Sequence, residues 1–320
     1  MQDCYVGDIG DYGKFALLRE MHRQGLSIGI NWYKTDAITS EKQNDGKYCI
    51  PDRLTVYDTD LSTRLKKIFY SQDSIVRSIK ALEAEQLIGG ALYYSDCVPV
   101  GHREKWHQHA LSALSGSDLV FLDPDNGMIV SSAEKDKQKQ RKYVLDAEFK
   151  DYLCTGHSVV IYQHRPRVNE AVYIDRMMQR FMSLSPDVRR SDVQVITFPR
   201  YSVRDYFAIS INEDHRLKIK RAISNLVNGV WGSGKKPMCR LPISIENALS
   251  NETPNSPTKL HSPTKPVKDG RGRHLSFAST LGISSEERPL PALARHLPLK
   301  GKAFGYLSPA GRHPYPTYVL

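Results

Sequence analysis

The chain has 320 residues, 40% of them hydrophobic and 25% charged, and its 45 Lys and Arg against 35 Asp and Glu leave a formal net charge of +10. This length makes one large domain or two small ones, and the composition excludes collagen-like and disulfide-scaffold classes. No stretch approaches the ~20 apolar residues of a membrane span, so no membrane partner is expected.

The N-terminus, Met1-Gln2-Asp3-Cys4-Tyr5, has neither a basic nor an apolar region of the secretory kind, so cytoplasmic localisation is expected. Gly7-Asp8-Ile9-Gly10-Asp11-Tyr12-Gly13-Lys14 then opens a helix over 14–24, with Phe15, Leu18 and Met21 along one face and Gly25 as its stop. Glycines at a helix entry allow close backbone approach, and free N–H groups there favour an anion. No strand precedes this segment, so an ordinary glycine-rich helix entry explains it equally well.

Residues 26–33 read as a strand, and the polar stretch 34–52 holds the turn signal Asn44-Asp45-Gly46. Helices over 61–69 and 72–87 follow, then a short strand at 91–94 ending in Ser95-Asp96, and a helix over 102–114. The apolar strand 118–122 runs straight into Asp123-Pro124-Asp125-Asn126-Gly127. After the charged loop 134–142, the pattern predicts a helix at 143–153, a strand at 158–163 and a helix at 168–184. Two consecutive strands, 193–198 and 205–211, precede a last helix at 214–228.

Strands alternating with helices imply a doubly wound, mostly parallel α/β sheet. The final two strands are too close in sequence to be parallel neighbours, so they form a hairpin. This Rossmann-like arrangement is the one class I methyltransferases have, with the hairpin as the last strand pair.

From residue 237 onward there are 11 Lys and Arg, 5 Asp and Glu, and 12 of the 18 prolines, against 34 and 30 charged residues in the first 236. Periodicity is lost there, and SPTKLHSPTK at 256–265 contains a direct repeat. The expected organisation is a Rossmann-like domain over 1–235 and a disordered, proline-rich basic tail over 236–320. The tail reads either as a nucleic-acid-binding arm or as a dispensable segment.

In open α/β sheets ligands bind beyond the carboxyl ends of the strands. Lys34-Thr35-Asp36, Asp96, Asp123-Pro124-Asp125-Asn126 and Gln163-His164-Arg165 all fall there. Pro124 leaves Asp123 extended, so the Asp123 carboxylate and the Pro124 carbonyl can accept hydrogen bonds from an exocyclic amino group. Asp123 and Asp125 can alternatively hold a divalent metal, as in a nuclease, or the segment is simply a turn of turn-forming residues. Asp123 with Glu148-Phe149-Lys150 has a nuclease-like spacing, but 148 and 150 lie in a helical pattern, where i and i+2 diverge by ~200°. The five cysteines are Cys4, Cys49, Cys97, Cys154 and Cys239; they form no C-x-x-C pair, and His102, His107 and His109 lack partners at metal-ligand spacing, so no resident metal is expected.

On these residues the chain resembles an uncharacterised bacterial family with a GDIGDYGK N-terminus and an FLDPDNG strand end. More distantly, residues 5–230 are similar to class I ribosomal-RNA adenine-N6 methyltransferases. Their opening Gly-Asn-x-Ala-Asp-x-x-Lys is matched at Gly7, Asp11 and Lys14, and their strand-end Asp-Pro-Pro-Tyr is represented by Asp123-Pro124-Asp125-Asn126. The resemblance implies S-adenosylmethionine as cofactor and transfer to an amino group of nucleic acid, RNA or DNA, with Asp123, Pro124, Asp125 and Asn126 as catalytic residues. It places Gly7, Asp8, Gly10, Asp11, Lys14, Asp36, Asp45, Gly46 and Asp96 on the cofactor side and Gln163, His164 and Arg165 on the substrate side. The departures are Asn126, which cannot stack on an extruded base, Asp125 in place of proline, and no Gly-x-Gly after the first strand. A metal-dependent nuclease and a non-catalytic nucleic-acid-binding module are the alternatives.

Overall fold

A computed structural model describes residues 1–36, 48–70, 77–243 and 245. Its elements in chain order are α1 (Ile9–Arg23), β1 (Ile28–Asn31), α2 (Thr59–Phe69), α3 (Ile79–Ala84), β2 (Leu92–Tyr94), α4 (Arg103–Leu114), β3 (Leu119–Leu122) and β4 (Gly127–Met128). There follow α5 (Lys137–Gln140), β5 (Tyr143–Val144), α6 (Asp146–Cys154), β6 (Ser158–His164), α7 (Glu170–Leu184), β7 (Val193–Phe198), β8 (Arg204–Ile209) and α8 (Glu213–Asn228).

Six strands form one sheet in the order β2-β1-β3-β6-β8-β7. The first four are parallel neighbours, while β8 lies antiparallel between β6 and β7. The carboxyl ends of β1, β2, β3 and β6 therefore share an edge with the start of β8, through the pairs Gln163–Asp205 and His164–Arg204.

Strand alternation divides the interior in two. Ile28, Ile30, Phe121, Val160 and Tyr206 face α1, α2, α3 and α8. Val120, Leu122, Val159, Ile161 and Phe207 face α4, α6 and α7. Strand β6 is flanked on both sides and its centre is buried on both faces, which explains its near-continuous apolar run.

Four local expectations change. The helix read at 14–24 starts at Ile9, because Asp8 caps it ahead of Gly10 and Gly13. The helix read at 143–153 starts only at Asp146, because Tyr143 and Val144 pair with Gly127 and Met128 in a second, two-stranded sheet. Of the helix read at 72–87, the described part is Ile79–Ala84, capped by the Ser78 side chain on the Ala81 N–H. Packed structure also continues past residue 235: Met238 and Cys239 are buried, and Arg240 exchanges backbone hydrogen bonds with Thr197 at 2.9 Å each way. The rest of the proline-rich tail, from 246 onward, lies outside the described residues.

Candidate functional site

Asp8 starts the site because it caps α1, its Oδ1 accepting from the N–H groups of Gly10 at 2.6 Å and Asp11 at 3.1 Å. One turn into the helix, Lys14 Nζ donates to Asp11 Oδ1 and to Asp123 Oδ2, both at 2.7 Å. Asp123 follows β3 in the alternation that puts Leu119 and Phe121 on the α1 side, which is why its carboxylate meets Lys14. Arg204, at the start of β8, brings its guanidinium against Gly10, where an added Cβ would sit 3.0 Å from two of its nitrogens. Tyr162 and Tyr206 complete the cluster, and the Tyr206 hydroxyl is buried with no hydrogen-bond partner.

Asp8, Asp11, Lys14 and Asp123 are all buried, and the electrostatics follow from that. Burial, then the neighbouring Asp11, raises the Asp8 carboxyl to about 6, with Arg204 opposing. Burial likewise raises Asp123, offset in part by Lys14 and the amino-terminal charge. Desolvation works against the Lys14 ammonium, but Asp11 and Asp123 outweigh it and hold its pKa above the usual lysine range.

Asp125, two residues on, is held separately. Its Oδ1 lies 3.1 Å from the Met1 amino group, and its Oδ2 accepts from Gln2 Nε2 at 2.8 Å and Thr35 Oγ1 at 3.2 Å. Burial alone would raise its pKa, yet the Met1 charge and Gln2 lower it below the ordinary aspartate value. The Met1 amino group also donates to the carbonyls of Trp32 at 2.9 Å and Asp123 at 2.9 Å. Met1 thereby ties the segment after β1 to the segment after β3.

The remaining residues expected on the cofactor side do not join the cluster. Gly7 has a φ of +77° and donates its N–H to Asp11 Oδ2 at 2.7 Å, so it shapes the loop around its own helix. Asp36 lies on the rim, paired with Arg141 Nη2 at 2.9 Å, which holds its carboxyl below the usual range. Asp96 is exposed, and its backbone carbonyl accepts from Trp106 Nε1 at 3.0 Å. Asp45 and Gly46 lie outside the described residues.

The expected substrate side lies mostly on the opposite face of the sheet. Gln163 Oε1 accepts from the Met128 N–H at 2.9 Å, and its amide crosses directly over Gly127. That position needs glycine: φ is +106°, and a Cβ would overlap the Gln163 side-chain amide. Asn126, Gln163, His164, Arg176 and Arg180 line a cleft of about 540 Å³ with Met128 and Met177 among its apolar walls. His164 is exposed. Arg165 does not face the cleft as a free cation: its Nε donates to the fully buried Asp205 at 2.7 Å, and it also pairs with Glu170.

Arg204 and Tyr206 are the cluster members that sequence reasoning missed, and Tyr162 was read only as the end of its strand. The signal for them was positional, since β8 had to start where β6 ends once the hairpin was inferred. Glu148, considered for a nuclease, is buried beneath Arg103, whose Nε donates to it at 2.6 Å, while Tyr33 and the Leu145 N–H also donate to it. Among the described residues no three His, Cys, Asp or Glu side chains converge as a metal site, and no helix is long and apolar enough to cross a membrane.

No protein-family model, curated protein or solved structure matches the chain. A cofactor lying across the carboxyl ends of β1 and β3 would meet Met1 over Trp32 and Asp123, with Thr35 tied to Asp125 beside it.

Proposed function

We propose that this chain is a nucleic-acid-binding protein built on a methyltransferase-type sheet, whose strand-end aspartates serve the fold. The observation that carries this reading is the Lys14 ammonium shared between Asp11 and Asp123, with all three side chains buried. The Asp123 carboxylate is thereby buried and ion-paired through its Oδ2, an arrangement that serves the fold in the way a buried structural pair does. The polyanionic partner rests on the net charge of +10. Equilibrium binding to single-stranded DNA and RNA at several salt concentrations tests it. Asp123→Asn, at a temperature where its melt shows it folded, is expected to bind as the unaltered chain does, and loss of binding in that folded variant overturns the reading.

One observation favours an enzymatic reading, an S-adenosylmethionine-dependent methyltransferase acting on an amino group of nucleic acid. It is the strand order, with the antiparallel β8 wedged between β6 and β7. In that reading Asp123 and the Pro124 carbonyl orient the acceptor nitrogen. Titration calorimetry with the cofactor decides between the two: heat of binding below millimolar concentration supports the enzyme, and none supports the binding module.

A further inference from the structure

The five-residue connection between β7 and β8, Pro199-Arg200-Tyr201-Ser202-Val203, leads into Arg204 and contains no acidic residue. At its centre Tyr201 has a φ of +63°, the left-handed region that a bulky side chain occupies only under strain. Glycine or asparagine is the residue such a turn ordinarily takes. The strained residue is not buried: Tyr201 is 49% exposed. Its ring lies 5.5 Å from that of Tyr48, itself 57% exposed, with the planes 38° apart. Tyr48 is anchored from below, since its carbonyl accepts from the Ile9 N–H at 2.9 Å.

Arg200 adds the second observation. Its guanidinium has no ion-pair partner among the described residues, and its Nε is buried without a hydrogen bond. An arginine without an ion pair, next in the chain to one of two adjacent exposed tyrosine rings, has the chemistry of single-strand recognition. Bases stack on the aromatic faces and the guanidinium takes a phosphate.

We propose that Tyr48 and Tyr201 form a stacking platform for an unpaired base of a single-stranded nucleic acid, with Arg200 holding the adjoining phosphate. The platform rests on the nucleic-acid partner proposed above, and on neither the cofactor nor the chemistry of Asp123. A base stacked on the outer face of Tyr201 covers an exposed ring that the turn is strained to present. Because every base has a flat face, the platform selects for single strands rather than for sequence.

Tyr201→Gly tests this with an internal control for folding. Glycine accepts the left-handed φ without strain, so the thermal midpoint should stay or rise while the ring is lost. In the full chain, the affinity for a labelled single-stranded oligonucleotide should fall roughly tenfold, with the salt slope unchanged because no charge is removed. Arg200→Gln should lower that slope by about one. An oligonucleotide of abasic sites should bind Tyr201→Gly and the unaltered chain alike.

Undiminished affinity in Tyr201→Gly overturns the platform alone. A loss of affinity accompanied by a lowered thermal midpoint also overturns it, since the ring would then be structural. Failure of the unaltered chain to bind any single strand overturns the nucleic-acid reading itself.

Discussion

Replacing Lys14 by methionine removes the cation from the centre of the buried cluster while keeping a side chain of similar length. Two carboxylates lose their partner at once: Asp11 Oδ1 and Asp123 Oδ2, each 2.7 Å from the ammonium. Breaking a buried pair by deleting one side costs about 3–5 kcal/mol, because the other charge is left without compensation. Asp11 retains the Gly7 N–H at 2.7 Å, so the greater part of the loss falls on Asp123. For a body of this size each kcal/mol shifts the thermal midpoint by roughly 2–4 °C, so a drop of about 10 °C is expected at pH 8.

The deficit should also depend on pH. Burial already raises the Asp123 carboxyl, and without Lys14 it rises further, above its unfolded value. A raised carboxyl holds its proton in the folded state, so its contribution to stability is full below the unfolded pKa and is lost as pH rises through the folded one. Lys14→Met should therefore be closer to the unaltered chain at pH 5 than at pH 8. Thermal unfolding followed by tryptophan fluorescence at both pH values measures this. A midpoint at pH 8 within about 2 °C of the unaltered protein would show that the pair contributes nothing to the fold.

Asp8 is held up at about 6 by burial and Asp11, so its folded-state benefit is present below the ordinary aspartate value and lost as pH climbs through 6. Asp8→Asn, which retains a capping oxygen, should gain on the order of 1–3 kcal/mol relative to the unaltered chain between pH 5 and pH 8; equal pH slopes in chemical denaturation would count against that. Gly127→Ala should destabilise by at least about 2 kcal/mol, since it combines a left-handed φ with a collision against Gln163; a thermal melt indistinguishable from the parent would refute the packing argument. Arg165→Met should cost about 3–5 kcal/mol by stranding the fully buried Asp205, and should leave nucleic-acid affinity unchanged. Affinity that falls in Arg165→Met with stability intact would instead return this arginine to the substrate side.

The secondary structure was legible wherever one physical signal acted alone. The 3.6-residue periodicity of α1, the apolar runs of β3 and β6, and the close spacing of β7 and β8 each specified an element without outside help. Periodicity misread Tyr143 and Val144 because two residues paired across to Gly127 and Met128 carry no period of their own. The convergence of Asp11, Lys14 and Asp123 was half legible. Strand ends gather at one edge of any parallel sheet, so their proximity followed from topology.

What that edge does was not legible, because alternation sends neighbouring residues to opposite faces. Asp123 meets Lys14 beneath α1, while Gln163 turns toward the cleft beside α7. The sequence by itself determined a polar carboxyl edge on an α/β sheet and the charge of +10. Only tertiary structure decided that the aspartates of that edge are neutralised from within, and that Tyr48 and Tyr201 stand exposed side by side. The reason is distance: ion pairs and ring contacts spanning more than a hundred residues depend on how strands are ordered and on which face each side chain leaves, and local sequence encodes neither.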